Sequence, residues 1–401
     1  MKTQPPLGVR YVGPLAMGPA HYLDAGGSLL IVGPTQSGKT SSLVVPAILN
    51  WPDALVVTSV KRDVVATTKH WRTRVGAVAV LEPGRDDGLT WNPLEGVESL
   101  RHATRVARDL TVPAGERGEG EFWNALATKL VAALMMVALE RQGDIFDVAT
   151  LVERRRLDEW ATSSGEAGAM VRGFLNYEPK TLDGVLTTAE TMLYPWRFAQ
   201  PLARVRDVVH GTNSLYLCVP QGEQRHYEAL FRGALRMVLE EQQRLVDRGR
   251  ARRVLFVLDE AATVASLDEL DQLAATVSGL GVTLVTVVQD FAQLRARWGE
   301  RAATIVNNHA TRVVLAGLAD PTVSTYLPEL VEAPEGARPV SLRRGAPGTA
   351  FVVSGRRAPF RVRLRPWWRW RRLRGRGTRV AKLRFAHGPN TLATARADSR
   401  D

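Results

Sequence analysis

Short apolar runs alternate along this chain with longer segments in which apolar residues recur every three or four positions. The runs are about five or six residues long, rich in valine, leucine and isoleucine, and continuous, which is typical of strands in a parallel sheet covered on both faces. The predicted strands are Ser28–Val32, Ala54–Thr58, Ala77–Leu81, Ser214–Val219, Val254–Leu258, Thr283–Val288 and Thr311–Ala316. Helical segments such as Ser41–Leu49, Arg225–Asp247 and Leu267–Val277 lie between them. This rhythm predicts an α/β fold with a mostly parallel central sheet.

The alternation stops between about Glu98 and Val209, where we predict helices and no strand. The helices are Phe122–Leu139, Phe146–Ala161 and Thr181–Phe198, and Thr111–Glu121 is predicted to be a mobile loop. A closing strand pair is predicted further on, at Phe351–Val353 and Phe360–Leu364. We therefore expect four parts: residues 1–95 and 211–365 as two pieces of one α/β domain, residues 96–210 as an inserted all-α domain, and residues 366–401 as a tail.

Composition narrows the class of protein. With 45% hydrophobic and 23% charged residues, the chain is an ordinary globular protein rather than a disordered or fibrous one. Cys218 is the single cysteine, so no intrachain disulfide forms, which suits a reducing cytoplasm. The N-terminus is not a signal peptide, and the longest apolar stretch, Leu130–Leu139, is too short to span a membrane. We therefore expect a cytoplasmic protein without a transmembrane helix.

The net charge of +12 is concentrated at one end of the chain. From Ser341 onward there are 17 Arg and Lys residues against 2 acids, so the rest of the chain is slightly acidic. The tail contains the run Trp367-Trp368-Arg369-Trp370-Arg371-Arg372. Nucleic acid and an anionic membrane surface are the two partners that such a segment favours, although a solvated tail without function would look the same.

The most informative motif lies between the first predicted strand and the helix after it. It reads Gly33-Pro34-Thr35-Gln36-Ser37-Gly38-Lys39-Thr40, the pattern GxxxxGK[ST] in the strand–loop–helix context of a P-loop. Backbone N–H groups and the helix dipole make such a loop an anion site. Lys39 is predicted to bind the β- and γ-phosphates and Thr40 to bind Mg²⁺. Residues 33–40 together with Ser41 are therefore the predicted ATP site.

A second strand ends in two acids, Asp259 and Glu260, directly after Val254–Leu258. This is the Walker B arrangement, in which Asp259 completes Mg²⁺ coordination and Glu260 orients or deprotonates the attacking water. Gln289 ends the next strand, so in a parallel sheet it lies at the same edge, where its amide could sense the γ-phosphate or simply bond to a loop. Lys61, after Ala54–Thr58, could face nucleotide or nucleic acid, whereas Asp63 could merely start the next helix.

An arginine from a neighbouring subunit would strengthen catalysis by several orders of magnitude. The candidates follow the Gln289 strand, and sequence does not choose among them. They are Arg295, Arg297, Arg301 and Arg312.

Taken together, these motifs resemble the TraG-like coupling proteins of type IV secretion, a family of P-loop DNA translocases. The resemblance covers roughly residues 28 to 365, and its elements follow the family order. Besides the P-loop, they are Leu43-Val44-Val45-Pro46, Ser59-Val60-Lys61-Arg62-Asp63, Trp91-Asn92-Pro93-Leu94, Glu121-Phe122-Trp123, Asp259-Glu260-Ala261-Ala262, Val288 to Leu294, Asn307-Asn308-His309 and Gly317-Leu318-Ala319-Asp320. It implies a RecA-like P-loop NTPase that works as an ATP-driven homo-hexamer. It also implies that the hexamer pumps DNA and links a relaxase or relaxosome to a type IV secretion channel.

The chain departs from the family pattern in three respects. Family members usually begin with transmembrane helices, whereas we expect none in this chain, which puts its membrane attachment in doubt. The family's Gln-Ser pair is Gln289-Asp290 here, which places an extra carboxylate near the γ-phosphate site. The helix before this strand, Ala274–Gly281, also lacks the arginine that some members have. The tryptophans and arginines of residues 366–385 could stack on bases and pair with phosphates, or anchor the chain peripherally at the membrane, or cap the last strand.

The function expected from the sequence is therefore an ATP-hydrolysing DNA translocase of the conjugative coupling type. Two alternatives stay open. One is a DNA-pumping ATPase of partitioning, packaging or defence, and the other is a non-hydrolysing nucleotide-binding adaptor for a DNA-processing partner.

Overall fold

The computed structural model describes residues 6–11, 20–22, 27–60, 62–83, 85, 88–111, 119–197, 200–219, 222–263, 267–327, 345–354 and 359–378. Its strands are β1 (Pro6–Tyr11), β2 (Ala20–Tyr22), β3 (Ser28–Val32), β4 (Ala54–Ser59), β5 (Val78–Leu81), β6 (Thr90–Trp91), β7 (Leu202–Ala203), β8 (Ser214–Cys218), β9 (Val254–Leu258), β10 (Val282–Val288), β11 (Thr311–Leu315), β12 (Thr349–Ser354) and β13 (Phe360–Leu364).

Helices fill the intervals between the strands. They are α1 (Val45–Asn50), α2 (Arg62–Arg72), α3 (Leu100–Asp109), α4 (Glu119–Glu140), α5 (Ile145–Glu153), α6 (Glu166–Leu175), α7 (Pro179–Leu193), α8 (Gln224–Asp247), α9 (Leu270–Thr276), α10 (Phe291–Trp298), α11 (Arg301–Asn308), α12 (Val323–Tyr326) and α13 (Arg371–Arg374). A π-helical turn at Thr40–Val44 precedes α1, and 3₁₀ turns lie at Leu157–Glu159, Tyr194–Trp196, Val205–His210 and Trp367–Arg369.

Eleven strands form one sheet in the order β2-β1-β13-β12-β11-β3-β10-β9-β4-β8-β5. The seven strands from β11 to β5 are parallel, and β12, β13, β1 and β2 extend the sheet as antiparallel strands. The seven strands predicted in the parallel region and the closing pair are thereby confirmed. Their continuous apolar character has the expected cause, because Leu30 and Val32 pack on one face while Leu29 and Ile31 pack on the other.

The segment between β5 and β8 contains α3 to α7, as its apolar periodicity predicts, but three details differ. The helix expected at Phe146–Ala161 ends at Glu153, because Arg155 adopts a left-handed backbone with φ of 54°. The helix expected at Thr181–Phe198 covers Pro179–Leu193 and gives way to a 3₁₀ turn around Pro195, which lacks an N–H donor. The prediction of no strand is wrong for the short strand β7, which pairs in parallel with β6.

The loop predicted at Thr111–Glu121 lies mostly outside the described residues, and its last three residues already belong to α4. The position of the four predicted parts along the chain stays a prediction.

Helix α4 corrects the expectation that no apolar segment is long enough to span a membrane. Its stretch Gly120–Glu140 meets the criteria of length and composition. Within the described part of the chain, however, residues 130–135 of this helix are completely buried against α3, α5, α6 and α7. The central helix of a helical domain has this same composition, since it is surrounded by apolar side chains on every side.

Two buried tryptophans join the helical segment to the α/β part. The Trp196 indole Nε1 donates to the Trp91 carbonyl at 2.7 Å, and the Trp91 Nε1 donates to the Leu230 carbonyl of α8 at 3.1 Å. Their rings meet edge to face with centroids 6.2 Å apart. Trp91 belongs to the Trp91–Leu94 element of the sequence, which therefore acts as a packing junction.

The beginning of the tail, up to Thr378, is part of the folded structure. Trp367 is buried against Val45, Leu49 and Leu373, and the Arg376 guanidinium lies 4.4 Å from the centre of the Trp71 ring. Of the three alternatives for the tryptophans, packing as core residues is therefore correct for Trp367, which cannot stack on a base or enter a membrane. The remaining residues of the 366–385 segment, from 379 onward, lie outside the described residues.

His309 joins α11 to the central sheet and is completely buried. Its Nε2 lies 2.9 Å from Thr286 Oγ1 and its Nδ1 lies 2.6 Å from the Ile305 carbonyl oxygen. Burial lowers the pKa of His309 from 6.5 to about 4, an effect that the hydrogen bond to Ile305 only partly offsets. The folded protein therefore holds this imidazole neutral.

We expect His309 to make stability depend on pH between about 6.5 and about 4. Between these pH values His309 is protonated in the unfolded chain but stays neutral in the folded chain. The free energy of unfolding therefore falls as the pH is lowered. The contribution is about 3 kcal/mol over the window. Urea unfolding of the wild type and of His309→Gln across this range measures it, and equal pH slopes in the two proteins would contradict the assignment.

Candidate active site

The loop from Gly33 to Thr40 follows β3 at the carboxyl edge of the sheet. Gly33 packs so closely on β11 that an added Cβ would lie 2.7 Å from Leu315 Cβ. Gln36 and Gly38 have φ of 62° and 95°, values that turn the backbone around the loop interior. Ser42 N–H donates to the Gly38 carbonyl at 2.9 Å, which starts the helix directly behind the loop.

Lys39 lies inside this loop and is only 9% exposed. Its Nζ donates to the Pro34 carbonyl oxygen at 2.9 Å and also to the Gly33 carbonyl oxygen. Thr40 and Ser41 are half-buried at the start of the helix, whereas Thr35 and Gln36 are exposed at the loop tip. The structure thus places the predicted phosphate-binding residues around one buried ammonium group.

The two acids of the Walker B strand lie at the same edge of the sheet, beyond β10. Asp259 is 7% exposed, and its N–H donates to the Thr58 carbonyl of β4 at 3.2 Å. A second backbone hydrogen bond holds this turn, because Ala261 N–H donates to the Val287 carbonyl of β10 at 3.0 Å. With strands about 4.8 Å apart, β9 lies roughly 10 Å from β3.

Glu260 has a left-handed backbone, with φ of 57°. This conformation costs a non-glycine residue about 1 kcal/mol or more, and such strain clusters at active sites. The Glu260 carbonyl accepts hydrogen bonds from Thr263 N–H at 2.9 Å and from Thr263 Oγ1 at 3.0 Å, which hold the turn in this form. Sequence patterns cannot show this strain.

Gln289 lies between the P-loop strand and the Walker B strand. Val288 pairs with Val32, so Gln289 stands level with Gly33, whose N–H donates to the Val288 carbonyl at 3.3 Å. The Gln289 N–H donates to Gln293 Oε1 at 3.0 Å. The structure therefore brings Gln289 to the edge that the sequence predicted.

Asp290, the additional carboxylate expected near the γ-phosphate site, directly follows Gln289 at this edge. Its Oδ1 accepts from the Gln293 N–H at 2.7 Å and caps α10. Asp320 completes the arrangement, because its Oδ2 accepts from the N–H groups of Phe291 at 2.8 Å and Ala292 at 3.2 Å. Burial raises the pKa of Asp320, but hydrogen bonds from Thr322, Phe291 and Ala292 outweigh burial and lower it overall.

Gln293 and Asp320 are site-positioning residues that sequence reasoning missed. Both belong to stretches noticed only as part of the family pattern, Val288–Leu294 and Gly317–Asp320. The contact of Asp320 with Phe291 spans 29 residues of sequence, which no local pattern reveals, whereas Gln293 acts on Gln289 from four residues away.

The four arginine candidates are placed differently. Arg297 is ion-paired with Glu228, and Arg301 is ion-paired with Asp271. Arg312 lies near the start of β11, level with Leu30 rather than at the carboxyl edge. Arg295 is exposed on α10 and makes no ion pair within the described part of the chain.

Of the two candidates after β4, Lys61 lies outside the described residues. Asp63 lies in the first turn of α2, as the helix-start alternative predicts. The neighbouring Arg62 forms an ion pair with the buried Glu82 at 3.0 Å.

A strand–loop–helix phosphate cradle and an acid-terminated parallel strand at the same edge of one sheet define a P-loop NTPase fold. The chain matches, over residues 3–332, the family model T4SS-DNA_transf, described as type IV secretory system conjugative DNA transfer. It belongs to this family.

Individual relatives agree with this assignment. The chain is 26% identical over 322 residues to the conjugal transfer protein TraG of Escherichia coli, covering 70% of this chain and 50% of TraG. It is 24% identical over 348 residues to protein VirD4 of Rhizobium rhizogenes, covering 80% of this chain and 51% of VirD4. The chain thus spans about half the length of the curated relatives it matches.

Solved structures show the same fold. The bacterial conjugative coupling protein TrwB, in its trigonal form with sulphate, superposes with a TM-score of 0.68 at 17% identity, covering 85% of each chain. A further structure of plasmid coupling protein TrwB, in complex with ADP and Mg²⁺, has a TM-score of 0.63 at 16% identity. The RecA-like P-loop fold expected from the sequence is thereby confirmed.

Proposed function

We propose that this chain is an ATP-hydrolysing DNA translocase of the conjugative coupling type. The observation that supports this best is one edge of the sheet. There, β3, β10 and β9 end side by side in the loop around Lys39, in Gln289 and in the Asp259–Glu260 turn. Membership of the conjugative DNA transfer family and the ADP and Mg²⁺ complex of TrwB agree with this proposal.

The residues at this edge fit ATP and Mg²⁺. The loop backbone packs without room for a side chain at Gly33, and Lys39 supplies a buried cation within it. Residues 33–41 would hold the phosphates, while Thr40 and Asp259 would hold Mg²⁺, whose hard charge prefers oxygen ligands. Mg²⁺ held there would supply positive charge to offset the negative charge of the phosphates.

Glu260 and Gln289 are the residues proposed to act on the attacking water. Glu260 accepts a proton from this water, and the carboxamide of Gln289 holds the water in line and contacts the γ-phosphate. The Glu260 turn and the Gln289–Gln293 hydrogen bond fix the backbone at both residues before reaction, so less reorganisation is needed. Arg295 is the proposed finger to a neighbouring subunit, since it is exposed and unpaired within the described residues.

The proposed partners follow from the family and from charge. They are DNA, five further copies of the chain in a homo-hexamer, a relaxase or relaxosome, and the components of a type IV secretion channel. We place the protein in the cytoplasm, peripherally at the inner face of the membrane.

The ATPase rate with and without single- and double-stranded DNA tests the proposed function. The full chain is compared with a chain ending at Thr378, because a cut before Trp367 would expose Val45 and Leu49. DNA-stimulated turnover is expected. If ATP binds but no condition gives turnover, including protein concentrations that favour assembly, the adaptor alternative replaces the translocase.

Arg371 and Arg372 are expected to contact the DNA backbone. Both are exposed, and neither makes an ion pair with an acid in the described part of the chain. Changing both to glutamine is expected to lower the slope of log affinity against log salt by about 1.8 for double-stranded DNA, since each phosphate contact contributes about 0.9. Fluorescence anisotropy with DNA at several salt concentrations measures this slope.

Two exposed arginines remote from α13, Arg154 and Arg250, serve as the matched control. The variant Arg154→Gln/Arg250→Gln loses the same charge and should keep the wild-type slope. The opposite result is that the Arg371/Arg372 variant keeps the wild-type slope of log DNA affinity against log salt and loses binding to anionic lipid vesicles. That result would assign this surface to the membrane.

A further inference from the structure

Four charged residues form a stripe along one face of α8. They stand four positions apart, and residues at this spacing lie on the same side of a helix. They are Glu228, Arg232, Arg236 and Glu240, named here the α8 stripe. The active site as described above uses none of them.

One side of the α8 stripe holds α3, the first helix of the helical segment. Arg236 Nε lies 3.1 Å from Asp109 Oδ1, and the buried Arg232 donates to the Asp109 carbonyl oxygen at 3.1 Å and to the Thr111 carbonyl oxygen at 2.5 Å. Glu240 lies 3.2 Å from Arg105 and 3.4 Å from His102. The C-terminal end of α3 is therefore tied to α8 by charge.

The other side of the α8 stripe holds the segment that follows the Walker B turn. Arg236 Nη2 is ion-paired with Glu269 Oε2, nine positions after Glu260. The same segment is held from α10, because Trp298 Nε1 donates to the Leu267 carbonyl at 3.0 Å. Arg297 of α10 contacts both Glu228 of the stripe and, at 3.9 Å, Asp268.

Glu260 and Gln289 are the residues proposed to contact the attacking water. The chain segment after each of them contacts α8, and α8 in turn contacts α3. We propose that Arg236 is a positioning residue that couples the nucleotide state at the Walker B turn to the helical segment by sharing its guanidinium between Glu269 and Asp109. This inference rests on the proposed ATPase function and adds the route by which the helical segment responds to ATP.

The geometry suits a coupling role better than a role in stability. The Glu269 carboxylate is 46% exposed and the Arg236 side chain 28% exposed, so the Arg236–Glu269 pair contributes little to the free energy of folding. The rigid guanidinium contacts both carboxylates at once, because Nη2 donates a hydrogen bond to Glu269 while Nε lies beside Asp109 as an ion pair without a hydrogen bond. If Glu269 moves, the Arg236 guanidinium moves with it, and the ion pair between Arg236 and Asp109 changes.

Asp109 makes this link sensitive to pH. Burial raises the pKa of Asp109 to about 6, although Arg236 and Arg232 lower it, and Glu240 and Glu269 add to the rise. The carboxylate is charged above this pH and loses its charge below it. Coupling through Arg236 should therefore weaken as the pH falls from 7 to 5.

Hydrogen exchange of the full chain, with and without the ATP analogue ADPNP and Mg²⁺, tests the proposal. In the wild type, ADPNP is expected to change amide protection in Leu100–Asp109 by about fivefold or more. In Arg236→Gln this response should be lost while ADPNP affinity stays within about threefold, and Arg236→Lys should restore it only in part. The control Arg244→Gln removes a charge from the same helix at a residue ion-paired with Glu241, and should respond like the wild type.

Two further variants keep the test decisive. Glu269→Gln breaks the link from a half-exposed position, so it should lose the response even if Arg236→Gln folds poorly. Asp109→Asn should give a weak response that does not change with pH, whereas the wild-type response should fall between pH 7 and pH 5.

The outcomes separate this proposal from the proposed function. If ADPNP binds and the response is the same in the wild type and in Glu269→Gln, or absent in both, coupling through Arg236 is wrong while the nucleotide site stands. If ADPNP does not bind to the wild type, the proposed function fails, and the coupling proposal fails with it.

Discussion

Replacing Glu260 with glutamine is expected to lower kcat about 10³-fold and to leave ATP affinity within about threefold of the wild-type value. A positioned general base contributes about 10² to 10⁴ in rate, and glutamine keeps the size of the side chain but cannot accept the proton. Affinity should be retained because, in the proposed site, Lys39 and the loop backbone hold the phosphates and Glu260 does not. Steady-state ATPase kinetics together with ADPNP titration measure both quantities.

The left-handed backbone at Glu260 adds a second expectation. Glutamine keeps the same strained φ of 57°, so the turn and its bonds to Thr263 should persist in the variant. Glu300→Gln, at an exposed position before α11, is the matched control and should turn over at the wild-type rate. Wild-type turnover in Glu260→Gln would remove this residue from the reaction.

Replacing Lys39 with alanine is expected to weaken ATP binding about 100-fold or more, and with it turnover. Lys39 is 9% exposed and its ammonium group lies inside the loop, where a charge-assisted contact with phosphate is worth about 1.5–3 kcal/mol. The loss of the bond to Pro34 should disturb the loop as well. Isothermal titration with ADPNP and Mg²⁺ measures the affinity.

Two variants separate the lost charge from a damaged fold. Lys39→Met fills the same space without charge and should bind as weakly as Lys39→Ala, while Lys69→Ala removes an exposed lysine of α2 and should bind normally. Thermal unfolding of each variant reports on folding. ATP binding by Lys39→Met at wild-type strength would overturn the role of the ammonium group.

The parallel sheet was predictable because each of its strands is marked by an apolar run within its own sequence. Val254–Leu258 and Ser28–Val32 are continuous apolar runs of five residues, the length and composition of a strand covered on both faces. Helix ends were less predictable, as at Glu153, where the backbone of Arg155 rather than the apolar pattern ends the helix. Strand β7 was missed because two residues carry no periodicity.

Some residues of the candidate site were likewise predictable from the sequence, and others were not. The P-loop and the Asp259–Glu260 pair were visible because their chemistry requires particular residues next to one another in sequence. The capping of α10 by the Asp290 carboxylate was not visible, since sequence does not show which N–H group a side-chain oxygen accepts from. Trp367 was left undecided between surface and core, and its contact with Val45 joins residues more than 300 positions apart.

The sequence by itself determined the class of fold, the phosphate-binding loop and the acids at the end of β9, because these depend on neighbours along the chain. Only the tertiary structure decided which charges are already used: Asp320 at the start of α10, Arg297 with Glu228, and Arg236 between Glu269 and Asp109. The physical reason is that a charge acts through space over a few ångströms, and the partner that neutralises it can stand anywhere in the sequence.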